Sequence, residues 1–334
     1  MLKDDFSLNL PNVSLKHYYA EDAYLFYQKT KPVEMEAWQL SLGQFTGTVS
    51  QIATDNIQLD LHLHNSVVRF EGVSPSNWGF SVPMRGNLLA FEQKYELEDN
   101  YIIMGPPQVG FVGIEKRPPA TYLLTFSPDF LHNLCQTLHL PEPEILVANS
   151  CCRAVGCTAK QMKYLRQSCQ QLQQTFANVV NNQEKLATLA VANWFKQQLE
   201  VEIAQQLLLI VAKAQNISPK KVVIRRATVL KQAEEYMLSN LKSHITCQDI
   251  CEAVGVSQRT LEYTFKDLYE ITPKAYLKRL RLNYLRQCLQ KSSPEDKILE
   301  FAQDLGFMHR GQLANDYQQL FGELPSETYR SITV

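Results

Sequence analysis

What most limits the folds open to this chain is a short pattern that occurs twice near its C-terminal end. From Thr246 to Lys266 the sequence reads TCQDICEAVGVSQRTLEYTFK. Thr246 followed three residues later by Asp249 has capping-box spacing, with Asp in place of the usual Glu. Ile250, Cys251 and Val254 form an apolar face, and Gly255 supplies the positive φ that a tight turn between helices demands. Ser257 caps a second helix whose inward positions are Leu261 and Phe265, while Gln258, Arg259, Thr260, Glu262, Tyr263 and Lys266 face outward. From Glu300 to Phe321, EFAQDLGFMHRGQLANDYQQLF repeats the plan. Ala302 precedes Gly306 as Cys251 precedes Gly255, and Leu313 and Tyr317 repeat the Leu261 and Phe265 spacing with one extra residue after the glycine. Ser293-Pro294-Glu295-Asp296 opens this second unit with a cap, a proline at the first helical position and acids in the first turn. Residues 275–290, AYLKRLRLNYLRQCLQ, place Leu277, Leu280, Tyr284, Leu285 and Leu289 at helical spacing between the units. Two helix pairs with polar, cation-bearing fronts on a helical spacer read as a tandem helix-turn-helix.

These residues resemble the AraC-type (AraC/XylS family) transcriptional regulators. The resemblance rests on TPKAYLKRLRLNYLRQCL and LGF…LFGELPSETYR and covers about residues 227 to 332. It implies two recognition helices entering successive major grooves on one face of double-stranded promoter DNA. Two departures stand out: Glu270 replaces the glycine usual before the Thr-Pro pair, and Asn315-Asp316-Tyr317-Gln318-Gln319 replaces a stretch that is usually basic.

Charge alone would not make the case, since the net charge is −1. From Ile217 onward, however, 17 Lys and Arg stand against 14 Asp and Glu, while the first 216 residues carry 16 against 20. The basic excess lies where the paired units are, as phosphate attraction requires. A length of 334 residues accommodates two or three domains. The longest apolar run, LLLIVA at 207–212, suits a buried helix rather than a membrane span. The N-terminal MLKDDFSLNL lacks an apolar export core, and eight irregularly spaced cysteines make no disulfide framework, so the expected location is cytoplasmic.

Along the chain, HYYAEDAYLFYQ at 17–28 reads as one short helix. From Glu34 to about Thr125, short alternating runs such as IQLDLHLHN, SVVRFEGV and TYLLTFS are separated by Gly, Pro, Asn and Ser. That texture suits an antiparallel barrel or sandwich with room for one small ligand. The family resemblance does not reach it, although many members carry a cupin-like barrel sensor in this place. Helices follow from Pro128, over Thr158–Thr175 and over Lys185–Ala214; a dimer seam and simple packing on the sheet domain are equally compatible with them. NISPKKVVIRR, 216–226, reads as an interdomain linker whose cations are in reach of phosphate. The expected organisation is α+β: 1–150 a β-rich sensor, 151–216 a helical segment, 217–226 a linker and 227–334 an all-α DNA-binding domain.

Other constellations carry less. His62 and His64, two apart on a strand, point the same way, as metal ligands do, but Arg69 stands where the cupin-enzyme pattern has Glu; two polar residues on a solvated face is the competing reading. Cys135, Cys151, Cys152, Cys157 and Cys169 include no Cys-x-x-Cys, and Trp38, Trp78, Phe80 and Tyr101 are pocket-lining or core aromatics. No phosphate loop, nucleophile elbow or catalytic acid pair occurs, so neither an enzyme nor a cofactor is expected.

The expected DNA-reading residues are Ser257, Gln258, Arg259, Thr260, Glu262, Tyr263 and Lys266 in the first unit and His309, Arg310, Gln312 and Asn315 in the second. Thr246, Ser293, Lys278, Arg279 and Lys297 are expected phosphate contacts. The leading function is a transcription regulator, an activator by family leaning, answering to a small-molecule effector as a homodimer in contact with RNA polymerase. Its rivals are a metal-dependent cupin-type enzyme fused to a DNA-binding tail, and a DNA-binding protein whose N-terminal domain makes only protein contacts.

Overall fold

The computed structural model describes residues 5–29, 31–84, 88–91, 95–115, 120–148, 151–182, 188–216, 220–221, 224–291 and 302–330. The N-terminal part is built from antiparallel strands: β1 (Phe6–Leu10), β2 (Val13–Ala20), β3 (Glu34–Gln39), β4 (Gly47–Ala53), β5 (Ile57–His64), β6 (Val68–Val73), β7 (Trp78–Pro83), β8 (Leu88–Phe91), β9 (Tyr95–Glu98), β10 (Tyr101–Gly105), β11 (Gly110–Glu115), β12 (Ala120–Phe126) and β13 (Arg153–Gly156). They make a nine-stranded sheet, β1-β2-β4-β5-β12-β7-β10-β13-β14, and a six-stranded sheet, β15-β9-β8-β11-β6-β3, where β14 is Gln215–Asn216 and β15 Lys220–Lys221. The antiparallel sheet domain expected from the alternating runs is therefore present. Among the described residues no ladder joins the two sheets, so they do not close into a barrel.

Strand alternation explains the layering, because successive side chains take opposite faces. On the larger sheet Leu15, Ile52, Leu59, Tyr122, Leu124, Phe126 and Phe80 face outward into one extended core. That core is completed by helices α2 (Pro128–Thr137), α3 (Ala159–Asn181), α4 (Leu189–Lys196) and α5 (Ala204–Lys213). Thr158 starts α3 with a full capping box to Gln161, which satisfies backbone donors at the first turn. Between α4 and α5 the chain is π-helical over Gln197–Ile203, which carries Glu200 onto the β4–β5 turn, where it accepts from Thr54 Oγ1 at 2.6 Å and Asn56 Nδ2 at 3.1 Å. The start of the expected Lys185–Ala214 helix, at 185–187, lies outside the described residues.

The single helix expected at 17–28 is replaced by two elements. Residues 13–17 pair with β1 on one side and residues 14–20 with β4 on the other, and only Ala23–Gln28 is helical (α1). Two ladders and an Asp22 cap, accepting from Leu25 N at 2.8 Å, outweigh the helical propensity of the intervening residues. Phe26 of α1 lies on Gly47, where a β-carbon would come within 2.8 Å of its ring.

The C-terminal helices are α6 (Ile224–Ser239), α7 (Cys247–Val254), α8 (Gln258–Tyr269), α9 (Pro273–Lys291), α10 (Arg310–Phe321) and α11 (Pro325–Arg330). Helix α6 begins inside the stretch expected to be linker. Spacer helix α9 serves two cores. Tyr276, Leu277 and Leu280 pack with α6, α7 and α8, while Leu282, Leu285 and Leu289 pack with Ala302, Leu305, Leu313 and Tyr317. The first of these cores extends onto the outer face of the six-stranded sheet, through Trp38, Leu40 and Ile114. From one side to the other the layers are helices, large sheet, small sheet and paired helix units.

Candidate nucleic-acid interface and internal cavity

The first unit is constructed as its residues dictate. Thr246 and Asp249 form the reciprocal capping box, Asp249 N donating to Thr246 Oγ1 at 3.3 Å and Thr246 N to Asp249 Oδ2 at 2.7 Å. Those hydrogen bonds hold the Asp249 carboxyl below the usual carboxylate range. Gly255 ends α7 at φ 70° and Ser257 accepts from Thr260 N at 3.3 Å to start α8. Leu261 and Phe265 are buried, as the spacing requires. Gln258, Arg259, Thr260, Glu262, Tyr263 and Lys266 are all exposed on the opposite side, with Gln258 Nε2 donating to Glu262 Oε1 at 2.8 Å. Arg226 lies 4.5 Å from the Tyr263 ring centre and pairs with Asp267 at 2.9 Å, which adds a cation to the rim of this front.

The second unit has the same plan. Gly306 turns at φ 80°, Leu313 and Tyr317 are buried, and His309, Arg310, Gln312 and Asn315 are exposed. His309 is the residue that caps α10, without a side-chain cap bond. Ser293 and Lys297, expected phosphate contacts, and the Ser293–Asp296 opening lie outside the described residues. Lys278 pairs with Asp316 at 2.8 Å. Arg279 is half-buried and donates to the Leu40 carbonyl of the sheet domain. Both are thus engaged within the protein in this arrangement.

Glu270, where the family resemblance implies glycine, ends α8 in the left-handed region at φ 59°, a conformation that glycine adopts without cost and a β-carbon resists.

A second group of residues, invisible to motif reading, clamps the helical units to the sheets. Arg69, 2% exposed, donates Nε to Glu234 at 3.2 Å and lies 4.6 Å over Trp38; Glu234, 1% exposed, also accepts from Tyr269 at 2.7 Å and from Tyr276. Asn283 of α9 mimics a strand, accepting from Gln39 N and donating to Gln39 O, each at 2.9 Å. Gln39 Nε2 in turn donates to the Leu320 carbonyl at 2.7 Å. Arg286 binds Asp22, the cap of α1, and Glu323 at 2.7 Å. Long-range pairs of this kind leave no local periodicity in a sequence.

Between the two sheets lies a cavity of about 90 Å³, lined mainly by apolar side chains and by Tyr27, His62, Ser81, Glu115 and Thr121. His62 and His64 do share a face, but that face is buried and not solvated, because the smaller sheet covers it. His64 Nε2 donates to Glu115 Oε2 at 2.9 Å, and Tyr27 Oη donates to the same oxygen at 2.9 Å. Among the described residues the only three-membered group with ligand atoms within 4.8 Å of one another is elsewhere, at His132, Glu142 and Glu144. Tyr101 lines the cavity, Trp78 and Phe80 belong to the outer core, and Trp38 belongs to the domain clamp. None of the eight cysteines forms a disulfide, and burial pushes the Cys135 and Cys157 thiols up to about 11 and Cys169 up to about 12, away from reactive thiolate. Among the described residues no helix is long and apolar enough to cross a membrane.

Comparison with known proteins follows the C-terminal units. A helix-turn-helix domain family model matches residues 250–331. The XylDLEGF operon transcriptional activator of Pseudomonas putida is 37% identical over 97 residues, 29% of this chain and 30% of that protein, so the match spans under a third of that relative. The XylDLEGF operon transcriptional activator 2 of the same organism is 31% identical over 114 residues, 34% of this chain and 72% of that protein. A solved transcriptional regulator from Chromobacterium violaceum, described as having an AraC-type DNA-binding domain, is 32% identical, covering 31% of this chain and 91% of that one with a TM-score of 0.30. With 31% identity across 72% of the shorter relative, and a helix-turn-helix family match over both units, the chain belongs to the AraC-type helix-turn-helix family.

Proposed function

We propose that this protein is a sequence-specific DNA-binding transcription regulator, with residues 227–334 as the reading domain. The observation that carries the proposal is the exposed front of α8, opposite a fully buried Leu261 and Phe265. Arg259 is the residue assigned to a guanine edge, Gln258 to adenine and Glu262 to a cytosine amino group, since those side chains match those edges. Ser257, Thr260, Tyr263 and Lys266 complete the first contact, and His309, Arg310, Gln312 and Asn315 form the second on the next groove, roughly 34 Å along one face. Thr246, Ser293 and Lys297 are assigned to phosphate; Lys278 and Arg279 join them only after leaving Asp316 and Leu40.

Residues 1–150 act as the cupin-like sensor, 151–216 as the helical segment available for homodimerisation and 217–226 as the connection. The sensor answers to a small-molecule effector in the cavity between the sheets, by favouring one arrangement of the reading units over another. Activation is supported by the names of the relatives, which are transcriptional activators, and contact with RNA polymerase is part of this proposal. The metal-dependent enzyme reading draws little support, since His64 is already bonded to Glu115 and Tyr27.

Genomic footprinting with the purified chain supplies the operator, and Arg259→Ala then tests the assignment. On the footprinted site, binding weakens by roughly 1–3 kcal/mol and specificity relaxes at one base pair. Equal weakening on random DNA makes Arg259 a phosphate contact and overturns its role; failure to select any site overturns the regulator reading.

A further inference from the structure

Along α8, Arg259, Tyr263 and Asp267 recur at intervals of four and so share one stripe of the exposed front. Tyr263 is the large apolar surface on that stripe, 55% exposed. A side chain so exposed ordinarily hops freely between rotamers. This one is held. Arg226, in the first turn of α6, lays its guanidinium 4.5 Å from the Tyr263 ring centre. The same group sends Nη1 to Asp267 Oδ2 at 2.9 Å, one helical turn further along α8. A planar cation stacked on the ring and tethered at its own edge narrows the orientations open to that ring. Helix α6 gives the tether a fixed base, because Val229, Leu230 and Ala233 bury it in the core of the first unit.

We propose that Arg226 is a positioning residue for DNA reading, holding Tyr263 so that its exposed surface meets the C5-methyl group of one thymine in the major groove. The assignment rests on the regulator reading above and names what one position of the first contact recognises. The thymine methyl is the apolar mark of the major groove, and side chains read it by apolar contact. Around Tyr263 the front of α8 carries Gln258, Arg259, Thr260, Glu262 and Lys266, so the tyrosine ring has the largest apolar surface to set against a methyl group. Arg226 itself is poorly placed to clamp phosphate. Its Nη1 is committed to Asp267, and a phosphate drawn to the guanidinium would approach that carboxylate as well, like charge against like. Held between a ring and an acid, the arginine serves the ring's orientation.

The test binds the full-length protein to its footprinted operator and to copies in which each thymine in turn is replaced by deoxyuridine, which lacks only the methyl group. In wild type one replacement facing the first unit weakens binding roughly fourfold, the weight of one buried methyl group. That penalty is absent in Tyr263→Ala and retained in Tyr263→Phe. It falls below about twofold in both Arg226→Ala and Arg226→Lys, because an ammonium group has no plane to stack on the ring. A merely structural arginine would weaken binding to thymine and deoxyuridine operators alike and leave their ratio unchanged. The dependence of log Kd on log salt stays as in wild type for Arg226→Ala, whereas loss of a phosphate contact lowers its slope by about 0.9. The proposal is overturned by a wild-type series with no methyl-dependent thymine, by a penalty that survives Tyr263→Ala or Arg226→Ala in full, or by the lowered slope. The wild-type series stands even where a variant fails to fold. A chain that protects no DNA overturns the regulator reading and this proposal with it, while a footprint without a methyl-dependent position overturns this proposal alone.

Discussion

Asp22 does two jobs with two oxygens, and a pair of substitutions separates them. Oδ1 accepts from Leu25 N at 2.8 Å and caps α1; Oδ2 accepts from Arg286 Nε and ties the sheet domain to the second helix unit. Asp22→Asn keeps an oxygen for the cap and removes the charged partner. Arg286 then still has Glu323 at 2.7 Å and its contacts to Tyr317 and Thr328, so no bare buried charge is created. The loss is one charge-assisted hydrogen bond, about 1.5 kcal/mol, at the low end of the range for bonds to charged groups. Asp22→Ala removes the cap as well and costs about 1 kcal/mol more. Urea unfolding at pH 7.5 measures both, with the slope unchanged if only stability moves. Native-state hydrogen exchange should show Leu282–Leu289 losing protection in both variants and Leu25–Gln28 only in the alanine variant. Two results refute the reasoning: an asparagine variant as damaged as the alanine one, or an asparagine variant within about 0.3 kcal/mol of wild type.

Glu270→Gly relieves a left-handed β-carbon at the end of α8 and should stabilise the protein by about 1 kcal/mol, read as a higher urea midpoint; a lower midpoint would mean the side chain contributes more than the strain costs. Gly255→Val, at φ 70°, should lower the midpoint by about 2 kcal/mol and abolish DNA binding through misfolding of the first unit, visible as lost near-ultraviolet dichroism. Burial raises the Asp60 carboxyl to about 7, against the hydrogen bonds of Gln58 and Gln51. The folded state therefore keeps its proton between about pH 4 and 7 while the unfolded chain has lost it, so this residue withdraws up to about 4 kcal/mol of stability as pH rises through that window. Asp60→Asn should gain on wild type from pH 4 to 7 and run parallel above, and a constant gap across that range would count against a buried acid. His62 has the opposite sign, since its folded value of about 3 lies below that of the unfolded chain, and its contribution disappears as pH falls from about 6.5.

The helix units were legible because every requirement for them is local. A cap, a glycine and an apolar pair four residues apart lie within one short stretch, and the structure keeps Thr246, Gly255, Ser257 and Leu261 in those roles. The sheet domain was legible as texture but not as topology. Alternation in IQLDLHLH marks a strand whichever sheet it joins, and nothing in it says which face is covered. That is why His62 and His64 looked solvated: burial on that face depends on β3, β6, β8 and β11 arriving from elsewhere in the chain. Residues 17–20 depart from the expected helix for a related reason. The aromatic residues there carry no period that distinguishes a strand end from a helix start, and the ladder to β4, joined at His17 by β1, decides it.

The smaller sheet does two things with one layer of backbone. Along β6, Arg69 faces the helical units and binds Glu234, while its neighbour Phe70 lines the cavity. Along β11, Ile114 packs into the core of the first unit, while Glu115 faces the cavity and binds His64 and Tyr27. A strand's alternation makes this unavoidable, since consecutive residues take opposite faces. The same holds at α1, where Tyr27 touches the cavity and the cap, Asp22, binds Arg286. An occupant that displaces β6, β11 or α1 displaces Arg69, Ile114 or Asp22 with it, because no flexible segment lies between the two members of each pair. The cavity and the domain clamp are therefore one strand apart, so movement of that strand would reach the clamp without a chain of intermediates.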